Sequence, residues 1–181
     1  MTRERLSGLF EKNRSFLSEH DTPALSEIRE KAFASFVKLG FPDIKQESWR
    51  LTDLTESFAR GYDYPLRPNA DANIQEVFRC NIPHLDTAII GQLNGWYVSK
   101  DVPLMELGNG IIMGSLAQAR IKYPGLIEKY YGTMADDASD GLTALNTAFA
   151  QDGVFIYVPE NVQSPKPVQL INVIHNDQNL F

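Results

Sequence analysis

Leu145–His175 reads LNTAFAQDGVFIYVPENVQSPKPVQLINVIH, and the fold turns on it. Leu145, Ala148 and Phe149 share one face of a short helix, which Asp152-Gly153 breaks. Val154–Val158 and Val168–Ile174 are rich in β-branched and aromatic residues and bounded by turn formers, the signature of strands. Pro159–Pro167 joins them as a polar turn region, and Asn176-Asp177-Gln178-Asn179 is a further turn signal. An apolar strand pair with nothing behind it has the character of the first course of a longer sheet. Folded proteins rarely leave such an edge bare.

Working outward, the rest of the chain supplies two kinds of material. Leu6, Leu9, Phe10, Phe16 and Leu17 follow the helical period, interrupted by Asn13, and Leu25, Ile28, Ala32, Phe36 and Leu39 form a second stripe. Thr22-Pro23 starts the second helix as N-cap and first residue, and Gly40 and Pro42 stop it. The short link between them predicts an antiparallel pair. In Phe41–Phe58, Trp49 and Leu51 are expected as apolar anchors, and Thr52 as the cap of a short helix carrying Leu54 and Phe58. Gly61–Asn73 reads as an irregular loop. From Ile74 to Met113 the pattern turns to strands. Asn94-Gly95 suits a type I′ hairpin turn between Thr87–Leu93 and Trp96–Val98. Ile111–Met113 is a short strand, Ser115 caps a helix over Leu116–Lys122, and Pro124 opens another that Gly132 ends. Asp136–Gly141 is a linker into the helix at 142–150. The fold class is therefore α+β: an N-terminal helical pair, a small mixed α/β part, then strands.

Composition narrows the function classes. With 181 residues the chain holds one domain, or one domain and a piece. A net charge of −6 argues against nucleic acid, whose phosphates need clustered Lys and Arg. No run approaches the ~20 apolar residues of a membrane span. The opening residues Met1–Arg5 do not resemble a signal peptide, and one cysteine, Cys80, fits a reducing compartment. The expectation is a cytoplasmic protein.

Candidate chemistry is sparse. Gly108-Asn-Gly110 before Ser115 resembles a phosphate loop, but Gly114 falls four positions after Gly110 rather than three, and Ile111-Ile112 stiffen the turn. A turn, a strand and a capped helix explain the segment better. Asp136, Asp137 and Asp140 could hold a cation if a dry cleft gathered them; a solvated linker before a helix N-terminus accounts for them more simply. His20, His84 and His175 are scattered. Cys80, beside Arg79 and four residues before His84, would make a Cys/His pair, although nothing identifiable orients the imidazole. Trp49, Tyr62, Tyr64, Trp96 and Tyr97 fit core and hairpin packing better than base stacking. No catalytic, cofactor-binding or metal residue is assigned.

Several of these segments together resemble one family. Leu145–Pro159 followed by KPVQLINV is similar to the lead-in to the β-helix core of the SufB/SufD family of iron–sulfur cluster assembly proteins, the SufD branch above all. Gly40-Phe-Pro42 and Glu47–Leu54 resemble its G-x-P and E-x-W-(R/K)-Y-T-x-L segment, with Leu51 in the aromatic position. Leu93-Asn-Gly95 matches its hairpin turn, and Leu107–Ile111 with Gly114–Leu116 its G-V…S-L element, without the usual proline. The resemblance implies an N-terminal domain at 1–150 and, at 151–181, the truncated start of a right-handed parallel β-helix. It implies a non-catalytic scaffold that partners SufB and the ATPase SufC, with the iron–sulfur cluster built transiently by the full complex and no cofactor in this segment. The SufC-binding helices and the cluster-building residues of the family would lie beyond residue 181. Two other readings stay open: a β-solenoid enzyme using Cys80 and His84, and a free-standing interaction module. On the family reading, the isolated fragment is expected to pair with another copy through the edge at Val168–Ile174, or to leave this tail disordered.

Overall fold

The structure, a computed structural model, describes residues 3–60, 64–68, 86–98 and 102–174. Its elements in chain order are α1 (Arg3–Leu17), α2 (Pro23–Leu39), a 3-10 turn at Glu47–Trp49 and α3 (Thr55–Ala59). Then come β1 (Ala88–Leu93), β2 (Trp96–Val98), β3 (Leu104–Glu106), β4 (Ile112–Ser115) and α4 (Leu116–Lys122). The last are α5 (Pro124–Tyr130), α6 (Gly141–Phe149), β5 (Val154–Tyr157) and β6 (Val168–Val173). They fall into two compact units, one drawn from Met1–Tyr64 and Tyr123–Ala150, the other from Pro65–Lys122 and Gln151–Gln178.

The first unit is helical. The Thr22 side chain caps α2 by accepting from the Leu25 N–H at 3.4 Å, and Pro23 opens the helix. Gly40, at φ 71°, closes it. Arg3 meets the Val37 carbonyl, Phe10 stacks on Phe33 with ring centroids 3.8 Å apart, and Arg14 pairs with Glu30 at 3.3 Å. One number rises as the other falls, so α1 and α2 run antiparallel, as their short link predicts. Along α2 lies α6, also antiparallel: Gly141 abuts Gly40 and Ala148 faces Arg29. Leu6, Phe10, Phe36, Ala144, Ala148 and Phe149 are sealed in this core. Each fully buried Leu or Phe contributes roughly 1.5–3 kcal/mol.

Two expectations for the crossover fail. Leu51 is 86% exposed and anchors nothing, whereas Trp49 is half-buried and its indole N–H donates to Asp140. Thr52 does not cap α3. The helix starts at Thr55, and Asp53 accepts from the Thr55 N–H at 2.9 Å, a charged acceptor placed two residues upstream.

The second unit holds two three-stranded sheets, ordered β2-β1-β6 and β3-β4-β5. The expected hairpin is present: β1 and β2 pair antiparallel, with Asn94 at φ 50° and Gly95 at φ 84° as a type I′ turn requires. Ser115 caps α4 by accepting from the Gln118 N–H at 3.1 Å. β5 and β6 do not pair with each other. β5 runs antiparallel to β4, and β6 lies parallel to β1 from Ala88↔Val168 to Leu93↔Val173. Pro159–Pro167 carries the chain from one sheet to the other rather than folding a hairpin. Ile90, Ile111 and Met113 make the core of this unit, with Tyr97, Val154 and Val168 packed on it. The expected β-helix is not among the described residues: these are small sheets, and β1 with β6 is their one parallel pair.

Candidate functional site

The glycine loop and the aspartates singled out for chemistry are already occupied by structure. Gly108–Gly110 forms a turn in which Gly110, at φ 83°, donates to the Leu107 carbonyl at 2.9 Å. Ile111 after it is fully buried, so the loop serves packing and offers no phosphate cradle. Gly114 has another duty. A Cβ there would sit 2.3 Å from the Pro103 carbonyl oxygen, so the glycine lets β3 approach β4.

The three aspartates do not converge on a cation. Asp136 accepts from the Ala138 N–H at 3.0 Å within its own turn. Asp137 accepts from the Thr147 hydroxyl at 3.0 Å, and burial pushes its carboxyl up despite that bond. Asp140 is the N-cap of α6, accepting from the Thr143 N–H at 2.7 Å and from the Trp49 indole N–H at 3.1 Å. Burial alone would raise its pKa, but those hydrogen bonds together hold the carboxyl below the usual carboxylate value. Among the described residues no three His, Cys, Asp or Glu side chains could hold a metal ion. His20 is exposed. Cys80, His84, His175 and Tyr62 lie outside the described residues, and so does most of the 61–73 loop. Trp49 serves Asp140, Tyr64 tilts against Phe149 at 5.3 Å, and Tyr97 packs on the second core.

Two residues that sequence reasoning passed over organise the stretch around Ala150. Arg29 is 1% exposed and donates to both carboxylate oxygens of Asp21, to the Ala148 carbonyl at 2.7 Å and to the Ala150 carbonyl at 3.2 Å. Its guanidinium thus answers the bare carbonyls at the end of α6. In the second unit, Asp152 accepts from the Ser115 hydroxyl at 2.8 Å, from the Ala117 N–H at 3.0 Å and from the Tyr97 N–H at 3.3 Å. One carboxylate joins the start of α4 to the hairpin. Arg29 stands among the α2 stripe residues and carries no motif that marks it; Asp152 read only as a helix breaker.

Among the described residues, one further feature is a surface, the outer edge of β6 in its sheet. With β1 filling its other side, VQLINV presents six residues that include no charge and no proline, two usual protections of an edge. Leu170 continues the row of buried Ile90 yet is 47% exposed, and Ile174 just beyond β6 is 89% exposed. The edge of β5 is similar, with Ile156 and Val158 exposed. Only the ion pair of Lys166 with Asp86, 2.7 Å, puts charge at the start of this pairing among the described residues.

Residues 1–170 match the family described as the SufBD protein N-terminal region, a match that ends inside β6. The chain belongs to that family. Curated SufBD relatives agree. The iron-sulfur cluster assembly protein SufD of Bacillus subtilis is 28% identical over 183 aligned residues, covering 93% of this chain and 39% of the relative. An iron-sulfur cluster assembly SufBD family protein of Arabidopsis thaliana is 28% identical over 161 residues, covering 78% of this chain and 34% of the relative. A second, chloroplastic SufBD family protein of the same plant is 38% identical over 60 residues, or 33% of this chain and 11% of the relative. The chain thus spans between a third and two fifths of the length of the SufBD proteins it matches most broadly. The relatives themselves are named for iron–sulfur cluster assembly. Among the described residues no helix is long and apolar enough to cross a membrane.

Proposed function

We propose that this chain is the N-terminal part of a SufD-like scaffold subunit, non-catalytic, that joins SufB and the ATPase SufC in a cytoplasmic complex building iron–sulfur clusters. The cluster is then cargo of the assembled complex, and no resident cofactor is assigned to these residues. One observation carries the reading: β6 is laid parallel on β1, with no strand on its outer edge among the described residues, where the family match ends. A parallel strand added in register is how one course of a solenoid is laid on another. Residues 1–150 are then the N-terminal domain. Its strands β1 and β4 receive β6 and β5, and 151–181 begins the β-helix core, with the N-terminal domain as its cap.

The test is reconstitution with the intact protein of which this chain is part. Co-expressed with SufB and SufC, it should co-purify as a three-component complex that assembles clusters, and a Cys80→Ala variant should leave the assembly rate unchanged. An intact protein that stays alone while SufB and SufC bind each other would overturn the scaffold reading. A Cys80→Ala variant that abolishes turnover inside an intact complex would make these residues part of the chemistry.

A further inference from the structure

We draw no further inference here: the strongest candidate, the uncharged outer edge of β6 at Val168–Val173, belongs to the reading already proposed, and nothing else in the structure shows what covers it.

Discussion

At the scale of single residues, Arg29 and Asp21 matter most, since their side chains are 2% and 1% exposed and 2.8 Å apart. Removing one partner leaves the other charge in the core without this ion pair. Arg29→Met should therefore cost about 3–5 kcal/mol in urea unfolding. Adding Asp21→Asn should recover only part of that loss, because the Ala148 and Ala150 carbonyls stay unanswered; full recovery would show that the arginine does not cap α6. This staple was hidden in the sequence. A lone Arg on an apolar stripe is indistinguishable from a solvated one until the carbonyls it meets, more than a hundred residues away, are in place. Thr22 and Ser115, by contrast, were legible because a cap acts within three residues of itself. Asp137 and Asp140 make a second prediction. The folded pKa of Asp140 is depressed, so its carboxylate contributes stability above an unfolded value of about 3.9, lost as pH falls through the folded value. Asp137 is raised, chiefly by burial, so its ionisation costs stability as pH rises through its folded value. Asp140→Asn should lower stability at neutral pH and Asp137→Asn should raise it. Both differences should fade in acid, once the depressed and the unfolded values respectively are passed. Thermal unfolding from neutral to acid pH reads both, and a pH-independent offset in either would refute the assignment.

Elements were legible where their signals are local, and less so where distant partners decide. Both long helices, the Asn94-Gly95 hairpin and the three later helices follow from period, caps and turn residues. β3 did not, being three residues long and opening right after Pro103, with nothing to mark it but its pairing to β4. The partners of β5 and β6 were equally out of reach. Strand pairing is set by which sheet has a free edge, and that depends on segments 40 to 80 residues upstream. Glycines show how context reverses an element's preference. Gly8 sits in α1, where an added Cβ would meet nothing within 4 Å, so Gly8→Ala should stabilise by about 1 kcal/mol through helix propensity. Gly141 opens α6, yet its Cβ would lie 1.8 Å from the Gly40 carbonyl oxygen. There the same substitution should destabilise by roughly 1–3 kcal/mol, since two backbones must part. Paired denaturation curves check the contrast. Equal effects at the two positions would mean that α2 and α6 are not in close contact.

For the molecule as a whole, exposure is uneven in a telling way. The helical core around Phe10, Phe36 and Phe149 is closed, each residue at most 1% exposed. In the sheets the cover thins outward, from Ile90 at 1% to Leu170 at 47%, across one pair of registered strands. A self-contained domain would place a charge or a proline on such an edge. Here it is dressed like a central strand, in keeping with a chain that spans 39% of a SufD relative. The 181-residue chain on its own should therefore associate through β6 in a concentration-dependent way, visible by light scattering. Leu170→Lys with Val173→Lys should abolish the association while leaving the helical circular dichroism unchanged, because a charge on each face of the strand opposes stacking and pairing alike. Hydrogen exchange adds a second reading. In the wild-type chain, outward amides of β6 should gain protection as concentration rises, and in the lysine variant they should not. A strict monomer whose Val168–Val173 amides are all protected would mean that the edge is covered from within, and the strand would then complete a closed sheet.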